Sequence, residues 1–169
     1  MTARDLAFAG LFGAAALLLP TLFHLLQLGH AFMPMYIPLV ALGFLTNARV
    51  AGTTALLVPL LSAAVTGMPP LYPPIAFVMA LEMAVMAAAI AGLSRARPRL
   101  HPILVLLPVL VLGRILNFML SYLAALALDL PPGFVAGLSF LAGWPGVLLM
   151  LVVIPPLIRV IAPHRADAF

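Results

Sequence analysis

The residues best suited to chemistry in this sequence are ionisable side chains that interrupt long apolar runs. Arg114 lies near the middle of one such run, and Asn117 and Ser121 follow it at positions i+3 and i+7. That spacing places the three side chains on one face of a helix. A charge at the centre of a membrane-spanning helix costs at least about 2.5–3.5 kcal/mol, so this polar face is expected to point into a helical bundle.

Glu82 is the only other charged residue in the middle of an apolar run. A rise of ~1.5 Å per residue places Glu82 about 11–12 Å and Arg114 about 20 Å from the same membrane face. Two interpretations follow: a structural ion pair that braces two helices, or a binding pocket whose charges engage a polar ligand. Three methionines share the side of Glu82 at helical spacing and are typical of core packing: Met79, Met83 and Met86.

Histidine and methionine residues near the end of the first apolar run offer a second kind of chemistry. His24 and His30 flank that end, and Met33 and Met35 follow. Such ligands suit copper or haem iron. Their spacing is not diagnostic of a metal site, and histidine at a membrane interface has no need of a metal. Binding or uptake of haem or a metal ion therefore stays an alternative function.

Two proline-rich connections, residues 29–38 and 67–74, contain apolar and aromatic residues where a solvated loop would have Ser, Asn or Asp. They are expected to lie against the membrane boundary or a bound molecule. Tyr36, Tyr72 and Trp144 are either interface anchors or, for the two loop tyrosines, groups that stack on a planar ligand.

Several kinds of activity have no sequence support. The chain has no phosphate-binding Gly-x-x-x-x-Gly-Lys-Ser/Thr loop, so it is not expected to hydrolyse ATP itself. It also has no zinc-protease or serine-hydrolase motif, and no cysteine for thiolate chemistry. The chain is therefore predicted not to be an enzyme and to bind no cofactor of its own.

The composition predicts an integral membrane protein. Of 169 residues, 66% are hydrophobic and 7% are charged, against about 25% charged in typical soluble domains. A spanning helix needs roughly 20 apolar residues, so the chain has room for about six. The prediction is one all-α domain over residues 1–169, a bundle of six transmembrane helices at 6–26, 37–45, 50–66, 75–93, 103–128 and 134–158.

The charges of the chain indicate its orientation. All eight basic residues other than histidine are arginine. With the amino terminus inside and a change of side at each crossing, seven arginines fall on the cytoplasmic side and the proline-rich loops fall outside. Both termini are therefore predicted to be cytoplasmic, in the plasma membrane of a bacterium or archaeon. Arginines at helix ends indicate topology rather than binding to nucleic acid.

The first helix has small residues near its start. Ala9 and Gly13, and likewise Gly10 and Ala14, are four positions apart, so they form two adjoining strips of small side chains. This spacing lets another helix approach closely, either within the same protein or from a partner.

Several segments together resemble the substrate-binding S components of energy-coupling factor (ECF) transporters. They are residues 29–38 (GHAFMPMYIP), 59–62 (PLLS), 66–70 (TGMPP) and 79–82 (MALE), in a chain with six short helices and an Ala/Gly-rich first helix. The resemblance implies a membrane-embedded subunit that captures a vitamin or cofactor precursor near the outer face. It also implies partners: a transmembrane coupling subunit and two ATPase subunits, which use ATP to deliver the cargo.

The resemblance also assigns roles to residues. Ala9, Gly10, Gly13 and Ala14 match the motif that contacts the coupling subunit, with Gly where Ala is usual. The segment from His30 to Tyr36 matches the lid over the ligand. The expected cargo has an apolar or planar part and a polar or anionic part for Arg114, as in pantothenate-like, flavin-like or benzimidazole-nucleoside-like compounds. The predicted substrate-binding residues are His30, Phe32, Met33, Met35, Tyr36, Tyr72, Glu82, Arg114 and Asn117. A structural membrane protein without a ligand is the remaining hypothesis.

Overall fold

The computed structural model describes residues 2–25, 33–131 and 143–161. Within these ranges the chain is all-helical, with six helices and no strand. The helices are α1 (Ala3–Leu25), α2 (Tyr36–Leu45), α3 (Ala48–Thr66), α4 (Ile75–Ala96), α5 (Pro102–Ala127) and α6 (Trp144–Ile161). The predicted helical class is confirmed, and the bounds of α2 to α5 agree with prediction to within three residues. The first part of the predicted sixth helix lies outside the described residues.

Five of the six helices are long and apolar enough to cross a bilayer, which supports a multi-pass membrane protein. The exception is α2, which has 10 residues. At ~1.5 Å per residue it is about 15 Å long, half of the ~30 Å hydrocarbon core. By length, the described chain therefore has five candidate spans and one short helix, rather than six spanning helices.

The short helix α2 is the centre of the bundle. Nine of its ten residues are buried, and it packs on α1, α3, α4 and α6. The long helices pack on one another in the order α1, α3, α4, α5, α6, while α1 and α6 contact α2 rather than packing closely on each other. The central position of α2 explains why its sequence is mostly apolar, since it packs on four other helices.

Small residues allow the close packing of α2 and α3 on α4. A Cβ added at Gly43 of α2 would lie 2.9 Å from the carbonyl oxygen of Ala87, so the two backbones approach as closely as glycine permits. A Cβ at Gly52 of α3 would lie 3.4 Å from Ala88 Cβ. Packing through small side chains is the usual way in which membrane helices gain van der Waals contact.

Local signals in the sequence account for several helix ends. Asn47 caps α3, since its side chain accepts a hydrogen bond from the backbone N–H of Val50 at 2.9 Å. Gly67 ends α3 in the left-handed conformation, with φ of 74°, which glycine adopts without strain. Pro102 opens α5 after His101, as expected for proline in a first helical turn.

Two hydrogen bonds show which helix ends lie together. Asn47 Nδ2, between α2 and α3, donates to Asp5 Oδ2 near the start of α1 at 3.2 Å. Arg159 Nη2 near the end of α6 lies 2.9 Å from His101 Nε2 at the start of α5. We call this side of the bundle the arginine end, because the helix ends and turns there contain Arg4, Arg49, Arg95, Arg97, Arg99 and Arg159. The opposite side, with the proline-rich segment 67–74, is the proline end.

Candidate functional site

A polar cluster lies inside the apolar bundle formed by the described helices, centred on the carboxylate of Glu82. Arg114 Nη2 donates to Glu82 Oε1 at 2.5 Å, forming an ion pair. Tyr36 Oη donates to Glu82 Oε2 at 2.6 Å, and Asn117 Nδ2 donates to the same oxygen at 2.7 Å. We call Tyr36, Glu82, Arg114 and Asn117 the polar cluster.

Three helices position these side chains. Tyr36 is the first residue of α2, Glu82 lies at the start of the third turn of α4, and Arg114 and Asn117 lie one turn apart on α5. Because α2 ends at the arginine end after only 10 residues, its first residue lies about 15 Å above that end, near the middle of the bundle. The sequence thus brings a tyrosine to the depth of the two charges by making α2 short.

The polar cluster is buried, and its charges compensate each other. Glu82 is 0% exposed, Arg114 2% and Asn117 8%. Each buried charge alone would be strongly unfavourable, but the carboxylate has three donors and the guanidinium has a carboxylate partner. The guanidinium carbon also lies 5.7 Å from the ring centre of Tyr36, within the range of a cation–π contact.

The geometry shows how the two buried charges are arranged. Glu82 and Arg114 contact each other, as the ion-pair interpretation requires. The face formed by Arg114, Asn117 and Ser121 is buried, as its helical spacing predicts. The contact alone does not decide between a structural and a ligand-binding role, because the remaining polar atoms of the cluster also matter.

Two polar atoms of the cluster are buried without a hydrogen-bond partner in the described part of the chain: Arg114 Nη1 and Asn117 Oδ1. One is a donor and the other an acceptor, so together they leave two unused hydrogen-bonding positions. Gly143, just before α6, lies against the guanidinium, and a Cβ added there would overlap Arg114 Nη1. The same added Cβ would lie 2.8 Å from Met33 Cε, so the residues preceding α2 and α6 both approach the cluster.

A cavity of about 60 Å³ lies beside the cluster, between the start of α4 and the last turns of α5. Its size suits a few water molecules or a small chemical group, not a whole vitamin. Its wall includes Asn117 and Ser121, the two neutral members of the polar face of α5. The full lining consists of Pro73, Pro74, Ile75, Val78, Asn117, Ser121, Ala124, Ala125, Leu128 and Leu130.

The other residues predicted to bind substrate divide into three groups. Met33 is half-buried near Gly143, and Met35 is buried in the core. Tyr72 is 71% exposed at the proline end and does not contribute to the cluster. His30 and Phe32 lie outside the described residues.

The predicted metal ligands gain no support from the described part of the chain. His24 is a residue of α1 whose side chain is not described, and Met35 packs in the apolar core. Among the described residues there is no group of three or more His, Cys, Asp or Glu side chains that could hold a metal ion. The haem or metal hypothesis would therefore depend on residues outside that part.

Sequence reasoning missed Gly143 and the alanines of the cavity wall. Gly143 follows no motif that signals contact with an arginine 29 positions earlier. Ala124 and Ala125 resemble any other alanines of an apolar helix. One weak signal was present: the polar face of α5 continues through Ser121 towards the proline end, which indicates a polar environment beyond Arg114.

The small residues of α1 separate into inward and outward positions. A Cβ added at Gly13 would lie 3.6 Å from Thr54 Cγ2 and Val58 Cγ2, so Gly13 packs on α3. Gly10 and Ala14 are exposed, and a Cβ at Gly10 would have no neighbour within 4 Å. Ala9 is half-buried. Only Gly10 and Ala14 are thus fully open to another helix.

Comparisons with known proteins identify no relative. No protein-family model matches the sequence, no curated protein matches it, and no solved structure matches the fold. Function is therefore inferred from the site itself.

Proposed function

We propose that this chain is the membrane-embedded substrate-binding subunit of an ECF-type importer. It would capture a vitamin or cofactor precursor at the outer face and deliver it to the cytoplasm with ATP hydrolysed by partner subunits. The observation that supports this proposal is a pair of atoms, Arg114 Nη1 and Asn117 Oδ1, that have no partner among the described residues, in a buried cluster with a cavity beside it.

An unpaired polar atom in a protein interior needs an explanation. Leaving a buried donor or acceptor unsatisfied costs about 1–3 kcal/mol, and more for a charged group. A purely structural cluster would gain stability by satisfying or removing both atoms. A cluster that exchanges partners with a cargo needs free hydrogen-bonding positions when the cargo is absent. The ion pair would then hold α4 and α5 together while the two free atoms bind the cargo.

The distribution of arginine supports the orientation that this function needs. Six arginines belong to the arginine end, whereas segment 67–74 at the proline end has none. By the positive-inside rule, the arginine end faces the cytoplasm and the cavity lies nearer the outer face, in the plasma membrane of a bacterium or archaeon. Gly10 and Ala14 would then present a small-residue surface of α1, within the membrane, to the coupling subunit.

Purification with retained partners tests the proposal. The tagged chain, solubilised mildly from its native membrane, is expected to retain a small molecule and to bring with it a transmembrane subunit and two ATPases. Native mass spectrometry detects both. A preparation that contains neither a small molecule nor an ATPase would contradict the proposal.

The variant Gly10→Leu separates binding of the small molecule from binding of the partner subunits. Because a side chain at Gly10 meets nothing within the chain, the variant should fold and retain the small molecule. It should lose the partner subunits, since a large side chain prevents close approach of another helix. The matched control is Gly92→Leu, at another exposed glycine whose added Cβ meets nothing, on α4. Loss of partners in the control as well would refute the role of α1.

A structural role without cargo is the second candidate, and the direct Glu82–Arg114 contact favours it. In that case the double variant Glu82→Gln/Arg114→Gln would lower the unfolding temperature and leave partner binding intact. No small molecule would be retained by either the variant or the parent chain. The proposed binding function instead predicts a small molecule in the parent and its loss in the variant.

A further inference from the structure

The wall of the cavity near α4 offers few free donors. Pro73 and Pro74 have no backbone N–H. Three of the four N–H groups in the first turn of α4 are already paired: Ile75 N donates to Pro73 O at 2.6 Å, and Val78 N donates to Pro74 O at 3.1 Å. Ala76 N, in the same turn, donates to Pro70 O at 3.1 Å. The fourth belongs to Phe77, which does not line the cavity, so the start of α4 presents few N–H groups to an anion there, although helix amino termini often bind anions.

The opposite wall offers acceptors and negative potential. Asn117 lines the cavity, and its Oδ1 is a buried acceptor with no hydrogen-bond partner among the described residues, while its amide nitrogen donates to Glu82. Leu128 and Leu130 also line the cavity, at the carboxyl end of α5, where a helix carries partial negative charge. Asp129, an acidic residue, lies between them and is exposed. The Ser121 hydroxyl can donate or accept.

The positive charge of Arg114 is not presented to this cavity. Arg114 is not among the lining residues, its Nη2 is held by Glu82, and its Nη1 lies against Gly143. The ion pair leaves the polar cluster with no net charge. The sequence-based expectation of an anionic cargo group held by Arg114 therefore does not apply to this cavity.

From this arrangement we infer that the cavity beside Asn117 and Ser121 takes a hydrogen-bond-donating group of the cargo, neutral or cationic, such as a carboxamide, an amine or a hydroxyl. A carboxylate or phosphate is excluded from it. The inference rests on the proposed function, since it specifies which end of the cargo enters this cavity. The cargo group would donate a hydrogen bond to Asn117 Oδ1 and make a second contact with Ser121.

Matched acid and neutral compounds test the inference on purified protein in nanodiscs. The pairs are nicotinamide with nicotinate, pantothenol with pantothenate, and biotin amide with biotin. Each is tested for a ligand-dependent rise in unfolding temperature. In any pair that binds, the neutral member should bind at least about tenfold more tightly, because the acid leaves Asn117 unpaired and adds an uncompensated charge.

A cavity-filling variant assigns the binding to this site. Ala124 lines the cavity, and Ala124→Leu fills it without removing a polar group. Ala127→Leu is the matched control, since Ala127 is an exposed residue of the same helix that does not line the cavity. Binding should be lost in Ala124→Leu and kept in Ala127→Leu. Equal or tighter binding of the acids, or binding that survives Ala124→Leu, would overturn the inference and leave the proposed function standing.

If no compound of the panel binds, the inference is tested by measuring how fast a thiol in the cavity reacts with neutral, cationic and anionic reagents. The chain has no cysteine, so Ser121→Cys introduces a single thiol that lines the cavity. Its modification rate is compared for three methanethiosulfonate reagents: the neutral methyl, the cationic aminoethyl and the anionic sulfonatoethyl compound. When each rate is divided by the rate of the same reagent with a free thiol in solution, the inference expects the cationic reagent to be favoured at least about tenfold over the anionic one, because of the acceptors and the carboxyl end of α5. A normalised rate for the anionic reagent equal to or above the others, or no reaction with any, would overturn it.

Discussion

At the scale of single residues, the Glu82 carboxylate is the acceptor that compensates the buried charge of Arg114 and holds the polar cluster together. It accepts hydrogen bonds from the side chains of Tyr36 on α2 and of Arg114 and Asn117 on α5. A buried ion pair contributes little net stability compared with apolar packing, but losing one partner leaves an unpaired charge in a low-dielectric interior. The cluster is therefore sensitive to single changes and more tolerant of paired ones.

Removal of one charge should destabilise the fold more than removal of both. Glu82→Gln and Arg114→Gln should each lower the free energy of unfolding by about 3–5 kcal/mol, since each leaves its partner charged and buried. The double variant should lose less than the sum of the two, because neither charge remains. Denaturant titration in mixed micelles measures the cycle. Strictly additive losses would mean that the two side chains do not interact in the membrane.

The hydroxyl of Tyr36 should contribute separately from its ring. Tyr36→Phe keeps the buried ring and removes a donor to a carboxylate, so it should cost about 1.5–3 kcal/mol in unfolding free energy. Tyr122→Phe is the control, since Tyr122 is exposed and its change should stay within about 0.5 kcal/mol. Equal effects of the two changes would argue against the Tyr36–Glu82 hydrogen bond.

Part of this residue-scale picture could be predicted from the sequence. The positions of Arg114 and Asn117 one turn apart predict a buried polar face, and the structure has one. The hydrogen bond from Tyr36 to Glu82 joins residues 46 positions apart, so no local pattern encodes it. The cavity wall depends on how the end of α5 meets the start of α4, which depends in turn on packing that sequence periodicity does not specify.

At the scale of elements, the short helix α2 explains why the cluster can form. A spanning helix would carry its first residue to the membrane surface, whereas α2 begins near the middle of the bundle. The sequence predicts one of six transmembrane helices at 37–45, whereas by length α2 is too short to span the bilayer. Its central place was not predictable, because a fully apolar helix is equally suited to lipid and to a protein core. The close approach of α2 to α4 at Gly43 shows that α2 lies in the protein core.

The contact between α2 and α4 should depend on Gly43. In Gly43→Ala the new Cβ would lie 2.9 Å from the Ala87 carbonyl oxygen, so the helices must move apart, at a cost of about 1–3 kcal/mol. Gly92→Ala is the matched control on α4, where an added Cβ meets nothing. It should raise stability by about 0.5–1 kcal/mol through helix propensity. A neutral Gly43→Ala would show that α2 does not pack this closely.

At the scale of the whole molecule, the arrangement of charge follows from the bilayer. The helices alternate in direction, and the arginine end gathers the described arginines other than Arg114. An apolar cleft of about 200 Å³ lies beside α2, where α1 and α6 do not pack closely on each other. Its lining is apolar throughout, which suits contact with acyl chains: Leu11, Phe12, Ala15, Leu19, Ile37, Pro38 and Leu157. The outer surface of the helices and this cleft are thus largely apolar, and the polar cluster faces inward.

The orientation of the molecule can be tested with single cysteines, because the chain has none of its own. Leu71→Cys places a thiol at an exposed position of the proline end, and Ala96→Cys places one at an exposed position of the arginine end. Neither change removes a charge, so neither alters the positive-inside signal. A membrane-impermeant maleimide should label Leu71→Cys in intact cells and Ala96→Cys only after lysis. The reverse pattern would place the cavity towards the cytoplasm, and a subunit that captures cargo from outside could not work in that orientation.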